Sequence, residues 1–374
     1  MKYIKDKMIL RLAAALLVLL FSWSPARASH GEDENFEAGP FIIEHVVDSY
    51  GWHICGSGDK SVTIPLPIIL IDDGHLTVFM SGKFHHGEAA YKGYALGWGD
   101  DKGSIVKLRG DHAGYTGPLE EGAEYDTEVC RWDLSITKNV CALFVSIVLI
   151  VCIFLTVAKS YKRHPDEAPS GLQALVEPVI VFLQEEVFVP SLGDKSDKYS
   201  PYLLTLFFFI LINNLMGIVP IFPGGANLTG NIVVTGVLAL ITFFVTNLSG
   251  KREYWIDIVN TPGVPWWLKV PIPLMPLVEI IGLFTKPFVL MVRLFANITA
   301  GHIVVLGFVS LIFIFGQMAP ALGYAVSVVS VFFYIFMGIL ELLVAFIQAF
   351  VFTLLSSIYI GMAVGGEEHE AAAA

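Results

Sequence analysis

Charge is scarce in this chain. Only 15% of its 374 residues are Asp, Glu, Lys or Arg, and none lies between Lys198 and Lys251. Ordinary globular domains carry about 25% charged residues, so a soluble fold wetted on every side is excluded. Basic charge is scarcer than acidic charge: 23 Lys and Arg against 34 Asp and Glu give a net charge of −11. That balance excludes the basic surface by which proteins hold nucleic acid. Catalytic signatures are missing too, with neither a Gly-x-x-x-x-Gly-Lys-Ser/Thr phosphate loop nor a His-Glu-x-x-His metal helix anywhere in the chain. Seven of the ten histidines fall between positions 29 and 137, in no tight zinc-binding spacing. No enzyme chemistry, metal or other cofactor is therefore expected of the chain by itself. The cysteines number only four. Cys55 and Cys130 can pair in an oxidising compartment, whereas Cys141 and Cys152 fall in an apolar segment and read as packing residues.

What fills the chain instead is apolar residue, at 55% with a mean hydropathy of +0.67. The expectation is an all-α membrane protein with about five transmembrane helices and one interfacial helix, the last two long and tilted, plus a small exported N-terminal region containing β-strands. The first 28 residues place Lys2, Lys5, Lys7 and Arg11 before the apolar run Leu12 to Phe21 and then Ala26-Arg27-Ala28. This order reads as a signal peptide, since about ten apolar residues fall short of the ~20 needed to span a bilayer. Positions 29–137 then form an exported polar domain. Within it Thr63 to Met80 predicts two strands about an Asp-Gly turn. Positions 138–366 form the membrane domain, and 367–374 a cytoplasmic acidic tail with Glu367, Glu368 and Glu370.

Spans follow from the charge-free runs. Val140 to Ala158 crosses once and is followed at once by Lys159, Lys162 and Arg163, which sets that end in the cytoplasm. Gly171 to Val189, with Glu177, Gln184, Glu185 and Glu186 among apolar residues, reads as amphipathic and interfacial. Pro201 to Val219 and Leu228 to Leu248 are two spans joined by a tight exterior turn at Pro220, Pro223, Gly224 and Gly225, and Lys251 and Arg252 mark the return. Pro262 to Pro276 reads as an interfacial loop. Two apolar stretches of roughly 40 residues follow, Leu277 to Phe315 and Leu322 to Val364, each about 60 Å long if helical and so twice the thickness of the hydrocarbon layer. They must tilt, break or protrude, with Pro287 a candidate kink and Gly316 to Pro320 the natural turn between them.

Arg293 is the only arginine between Val270 and Ile360. A guanidinium within a bilayer costs roughly 2.5 to 3.5 kcal/mol on insertion scales, and it cannot deprotonate, so it is a fixed charge and not a proton carrier. Glu279, Lys286, Arg293 and Ala300 recur every seven residues and Asn297 lies one turn past Arg293, which places them on one helix stripe. His302, nine residues on, lies half a turn round. Glu341 and Gln348 share a face of the last helix. An alternative reading of such polar groups at mid-membrane is a secondary ion-coupled transporter, whose halves usually repeat; no second copy of the Arg293 region is present.

The segment from Lys286-Pro287 through Arg293, Asn297 and Ala300-Gly301 to His302 resembles the signature helix of subunit a of F-type ATP synthases, the stator beside the rotating c-ring. Glu279, fourteen residues before the arginine, fits the same pattern, as do Gln348-Ala349-Phe350 in the last helix and Asn213-Asn214 in the second span. The likeness runs from about Asp133 to Met362 and leaves about 57–128 as an unplaced insertion. It implies a bacterial inner-membrane subunit, not itself catalytic, that passes protons to and from c-ring carboxylates, with the b-type peripheral stalk, the rest of the synthase and lipid as its other partners. Arg293 is then the rotor contact that separates two half-channels. His302, Glu341 and Gln348, with Asn213 or Asn214, are expected to line the exterior one and Glu279 the cytoplasmic one, with Lys286 and Asn297 also on the proton path. One departure is informative. Many bacterial members carry an acid where this chain has His302 and a histidine where it has Glu341, an exchange that keeps one imidazole and one carboxylate and so implies that the two residues are partners in space.

Overall fold

The computed structural model describes residues 38–55, 62–72, 74–101, 103–119, 125–163, 167–219, 224–259 and 274–365. The proposed signal peptide, the Pro-rich loop from Pro262, the exterior turn at Pro220 and Pro223, and the acidic tail lie largely or wholly outside these residues.

The N-terminal domain opens with helix α1 (Ala38–Val46), followed by ten short strands: β1 (Gly51–Cys55), β2 (Val62–Pro65), β3 (Pro67–Asp72), β4 (His75–Met80), β5 (Ala89–Ala90), β6 (Tyr94–Leu96), β7 (Ile105–Leu108), β8 (Gly117–Pro118), β9 (Thr127–Val129) and β10 (Trp132–Asp133). They form four small sheets, β1-β2, β10-β3-β4, β5-β8 and β6-β7-β9, and every pairing is antiparallel. The hairpin expected between Thr63 and Met80 is β3 with β4, in register from Pro67↔Met80 to Asp72↔His75. Gly74 takes a positive φ of 77° in its turn, the left-handed conformation that glycine adopts without steric cost. Alternation along β3 buries Ile68 and Leu70 against Phe79, Phe84, Tyr94 and Ile105, the inward half of a period-two pattern. Cys130 carries a free, half-buried thiol; the side chain of Cys55 is not among those described.

The membrane domain comprises α2 (Lys138–Arg163), α3 (Leu172–Leu183), α4 (Ser196–Ile218), α5 (Ile232–Ser249), the short α6 (Arg252–Val259), α7 (Leu274–Met318) and α8 (Pro320–Val364). Five helical stretches among the described residues are long and apolar enough to cross a membrane. Helices are what a spanning segment requires, because hydrocarbon offers no partner for a free backbone N–H or C=O. α7 and α8 are unbroken 45-residue helices, about 68 Å each at 1.5 Å per residue, and the turn between them is a single residue, Ala319. The segment read as interfacial is joined to the second span. From α3 the chain passes through a π-helical turn, Gln184–Phe188, a four-residue helix, Val189–Leu192, and a 3-10 turn, Gly193–Lys195, into α4. Gly193, at φ 55° and ψ −134°, bends the path there.

The core lies where α4, α7 and α8 meet α3. Leu203, Phe207 and Ile210 of α4 pack with Leu290, Leu294 and Ile298 of α7, Ala349, Phe352 and Ile360 of α8, and Leu183 and Phe188. The spacing of four along α7 is one face of a helix. Gly361 of α8 is required by contact, since a Cβ there would stand 2.1 Å from the Ser191 carbonyl oxygen. The cationic ends cluster. Lys195 Nζ donates to the Val364 carbonyl at 2.7 Å and the Lys251 N–H to the Ala363 carbonyl, satisfying carbonyls that the end of α8 leaves free.

The N-terminal domain is tied to the helices with little slack. The Asp48 carboxylate accepts the backbone N–H of Asn139 at 3.0 Å and so caps α2, and Lys138 N–H donates to the Ser49 carbonyl.

Candidate functional site

Three polar groups occupy three levels of the helical domain. The first joins α4, α7 and α8. His302 Nδ1 lies 2.5 Å from Glu341 Oε1, and His302 Nε2 lies 3.1 Å from the Gly217 carbonyl oxygen. A carbonyl only accepts, so Nε2 carries a proton. Nδ1 and Oε1 stand at ion-pair distance, an imidazole facing a carboxyl group. The contact departs from a hydrogen-bond angle, and among the described residues neither atom has another partner. Gly301 makes the approach possible, since a Cβ on it would stand 3.2 Å from Glu341 Oε1.

Below this pair Asn214 donates to the Ala345 carbonyl at 3.1 Å and accepts from Thr229 at 2.7 Å. Asn213 turns its amide back to the Phe209 carbonyl of its own helix and leaves Oδ1 unpaired. Both asparagines are 1% exposed and Gln348 8%. Glu341, Ala345, Gln348, Ala349 and Phe352 form the buried stripe of α8, so the sequence-predicted exterior group is assembled on one side of that helix.

Arg293 stands at the second level, nine residues or about 13 Å along α7 from His302. It is half-buried, at the border between the buried Leu290, Leu294 and Ile298 and an outer face where Phe288, Val292 and Ile303 are exposed. None of the described residues forms an ion pair or hydrogen bond with its guanidinium. Asn297, one turn on, belongs to the exposed face.

The third level is a narrow cleft lined by Thr242, Thr246 and Asn247 of α5, Tyr254 of α6, Leu283, Lys286, Pro287 and Leu290 of α7, and Tyr359 of α8. Tyr254 donates to Asn247 Oδ1 at 3.2 Å, and Lys286 Nζ lies 5.4 Å from the centre of the Tyr359 ring, a cation–π distance. Thr246 is 7% exposed and its hydroxyl has no partner among the described residues. Glu279 is half-buried and lies within electrostatic reach of Tyr254; burial first, and then that carboxylate, push the Tyr254 phenol up. Glu279 and Lys286 do not pair with each other among the described residues. Thr229, Thr242, Thr246, Asn247, Tyr254, Tyr359 and the Gly217 carbonyl are among the members of these groups that reading the sequence did not single out.

Residues 140–361 match the family model of the ATP synthase A chain. The chain belongs to that family. ATP synthase subunit a of Chloroherpeton thalassium is 42% identical over 249 residues, which cover 65% of this chain and 70% of the relative. A homologous subunit a of Chlorobium phaeobacteroides is 39% identical over 295 residues, 76% of this chain and 82% of its own length. That of an Anaeromyxobacter species is 32% identical over 359 residues, covering 92% and 75%. Residues 41–131 match a second model, a domain of unknown function (DUF8433), and that match spans the whole of the insertion. As a member of the ATP synthase A chain family with five span-length helices, the chain is a multi-pass membrane protein of the proton-transporting sector.

Proposed function

We propose that the chain is the stator of a rotary ATP synthase and conducts protons through two offset half-channels to and from the carboxyl groups of a c-ring. The observation that carries this reading is Arg293: a permanent cation without a partner among the described residues, at the edge of an exposed apolar helix face. A carboxylate passing about 4 Å from it gains up to about 4 kcal/mol at an effective dielectric near 20, so a rotor acid sheds its proton there. Away from Arg293, in lipid, the bare carboxylate is costly and must first be reprotonated. Rotation in one sense then requires proton access from opposite sides of the membrane on opposite sides of the arginine.

His302 and Glu341, with Gln348, Asn213 and Asn214, line the exterior path, supported by the close approach of the first pair and the burial of the rest. Glu279 and the cleft beside Lys286 serve the cytoplasmic path. Asn297, on the outer face one turn from Arg293, meets the ring. The orientation sets the N-terminal domain outside the bacterial inner membrane and the end of α8 in the cytoplasm; it rests on Lys159, Lys162, Arg163, Lys195, Lys251 and Arg252 all lying at one end of the bundle. The b-type stalk and lipid cover surfaces that the ring does not. Each proton moving down 100 mV yields about 2.3 kcal/mol, so several are needed per ATP.

The test is Arg293→Ala in vesicles holding the whole complex. ATP-driven acidification should be lost, and acidification at the normal rate would end the assignment. Ion movement by the chain without a c-ring would favour a transporter instead.

A further inference from the structure

The N-terminal domain meets the bundle at three points around one end of α4. Trp52, only 2% exposed, fills a socket formed by Ala142 of α2 and Ala226 of the loop between α4 and α5, each 1% exposed. Asp48 and Ser49 hold the first turn of α2. On the far side Phe41 of α1 packs on Phe313 of α7, with ring centres 6.3 Å apart. Between these anchors lies the end of α4 whose Gly217 carbonyl meets His302.

The seam beneath Trp52 is polar where an ordinary helix seam is apolar. Asn139, Ala142 and Ser146 are the bundle-facing residues of α2, spaced three and four apart and so on one face. Asn139 is 5% exposed, Asn227 beside Ala226 is 3% and Asn213 of α4 is 1%. Each keeps a polar atom with no partner in the described structure, namely Asn139 Oδ1, Asn227 Nδ2 and Asn213 Oδ1. Buried polar atoms are nearly always satisfied, and where protein does not satisfy them ordered water does. Asn227 is next to Ala226 of the socket, and Asn213 lies one turn of α4 inside the Gly217 carbonyl that meets His302.

We infer that the N-terminal domain is the roof of the exterior proton path: hydrated protons reach His302 and Glu341 beneath it, past Asn139 and Asn227, with Asn213 one turn farther in, and Trp52 sets the width of the inlet. This gives the domain a task, and it rests on the half-channel reading of the preceding subsection. Trp52, packed with Ile64 of its own domain and Cys141 of α2, is the largest side chain in that socket. The other contacts, a helix cap and a ring pair, anchor the domain without filling the inlet.

The test uses the assembled complex in vesicles of known orientation, with Asn213→Cys as reporter and the native cysteines replaced by serine. A membrane-impermeant methanethiosulfonate is added from either side. With Trp52 in place, labelling from the exterior should be slow. Trp52→Ala should accelerate it about tenfold or more, the factor that a loss of ~1.4 kcal/mol in the seal would give, while labelling from the cytoplasmic side stays unchanged. Trp52→Phe, which keeps an aromatic plug and guards against loss of assembly, should give an intermediate rate. Equal exterior rates for Trp52, Phe and Ala, with the domain still protease-resistant, would overturn the roof and leave the half-channels standing. No exterior labelling of Asn213→Cys in any background would overturn the half-channel reading, and the roof with it.

Discussion

His302 and Glu341 face each other across α7 and α8 with Nδ1 and Oε1 2.5 Å apart, while the other imidazole nitrogen is held by the Gly217 carbonyl. The carbonyl fixes the ring and leaves only one nitrogen for exchange, so the pair sets one imidazole nitrogen against one carboxyl oxygen. Such a unit is indifferent to which helix supplies which group, provided one imidazole and one carboxyl remain. Expected, therefore, is that His302→Glu combined with Glu341→His retains more ATP-driven proton flux than either single change, each of which creates a pair of acids or of imidazoles. Like groups at this distance repel in their charged forms; each single change should cost about tenfold or more, equivalent to ~1.4 kcal/mol at the rate-limiting barrier. Acidification rates of vesicles carrying the three variants decide the matter. A double variant no faster than the slower single would dissolve the partnership.

The glycine beside this pair makes a sharper demand. A methyl on Gly301 would sit 3.2 Å from Glu341 Oε1 and 3.5 Å from its Cγ and Cδ, whereas a methyl on Gly307, two turns along the same helix, meets nothing within 4 Å. Gly301→Ala should displace the carboxyl from His302 and lower proton flux several-fold. Gly307→Ala should leave flux unchanged and stabilise the helix by up to about 1 kcal/mol. Equal fluxes in the two variants would show that the contact with His302 is not needed.

Much of this was legible in the chain, for identifiable reasons. The empty stretch between Lys198 and Lys251, and the single turn near Ala319 between two very long apolar runs, delimit helices because a bilayer tolerates little else. The pairing of His302 with Glu341 could be read because two departures from the family pattern compensate each other. Contacts made through backbone were not legible. The Gly217 carbonyl carries no side-chain signal, and the socket for Trp52 consists of two alanines that look like any others. The joining of Gly171 to Val189 onto the next span was hidden by its carboxylates. Glu185 and Glu186 are exposed within the π-helical turn while Val187 and Phe188 point inward, an arrangement that the regular helical period does not anticipate. Tyr254 and Asn247 meet only because a short helix folds back beneath α5.

Cys130 offers a prediction in the N-terminal domain. Burial, and after it the Asp72 carboxylate, push its thiol up to about 11. The thiolate is the form that reacts, so at pH 8 alkylation by iodoacetamide should run about a hundredfold slower than for an unperturbed cysteine and rise about tenfold per pH unit until near pH 11. Asp72→Asn should shift that profile toward lower pH by removing a like charge. Mass spectrometry of the intact protein after alkylation without reductant gives the reading. A Cys130 that resists alkylation at every pH until reductant is added would instead reveal a disulfide with Cys55.

The C-terminal end of α8 is tightly seated, and its seat can be tested against an internal control. At Gly361 an added Cβ would meet the Ser191 carbonyl oxygen at 2.1 Å and its carbon at 3.1 Å, whereas at Gly338 in the same helix nothing lies within 4 Å. The clash is with backbone, which cannot rotate aside, so Gly361→Ala must push α8 away from the short helix Val189–Leu192. Overpacking of this kind costs about 1 to 3 kcal/mol. Gly338→Ala replaces the poorer helix former and should gain up to about 1 kcal/mol. The displacement should also pull the Val364 carbonyl from Lys195, a 2.7 Å hydrogen bond, and loosen the helix that carries Gln348 and Glu341. Thermal unfolding of the full chain in detergent should therefore place Gly361→Ala below the parent and Gly338→Ala at or above it. If the two alanine variants melted together, the close approach of α8 to Ser191 would not be what holds that end of the helix in place.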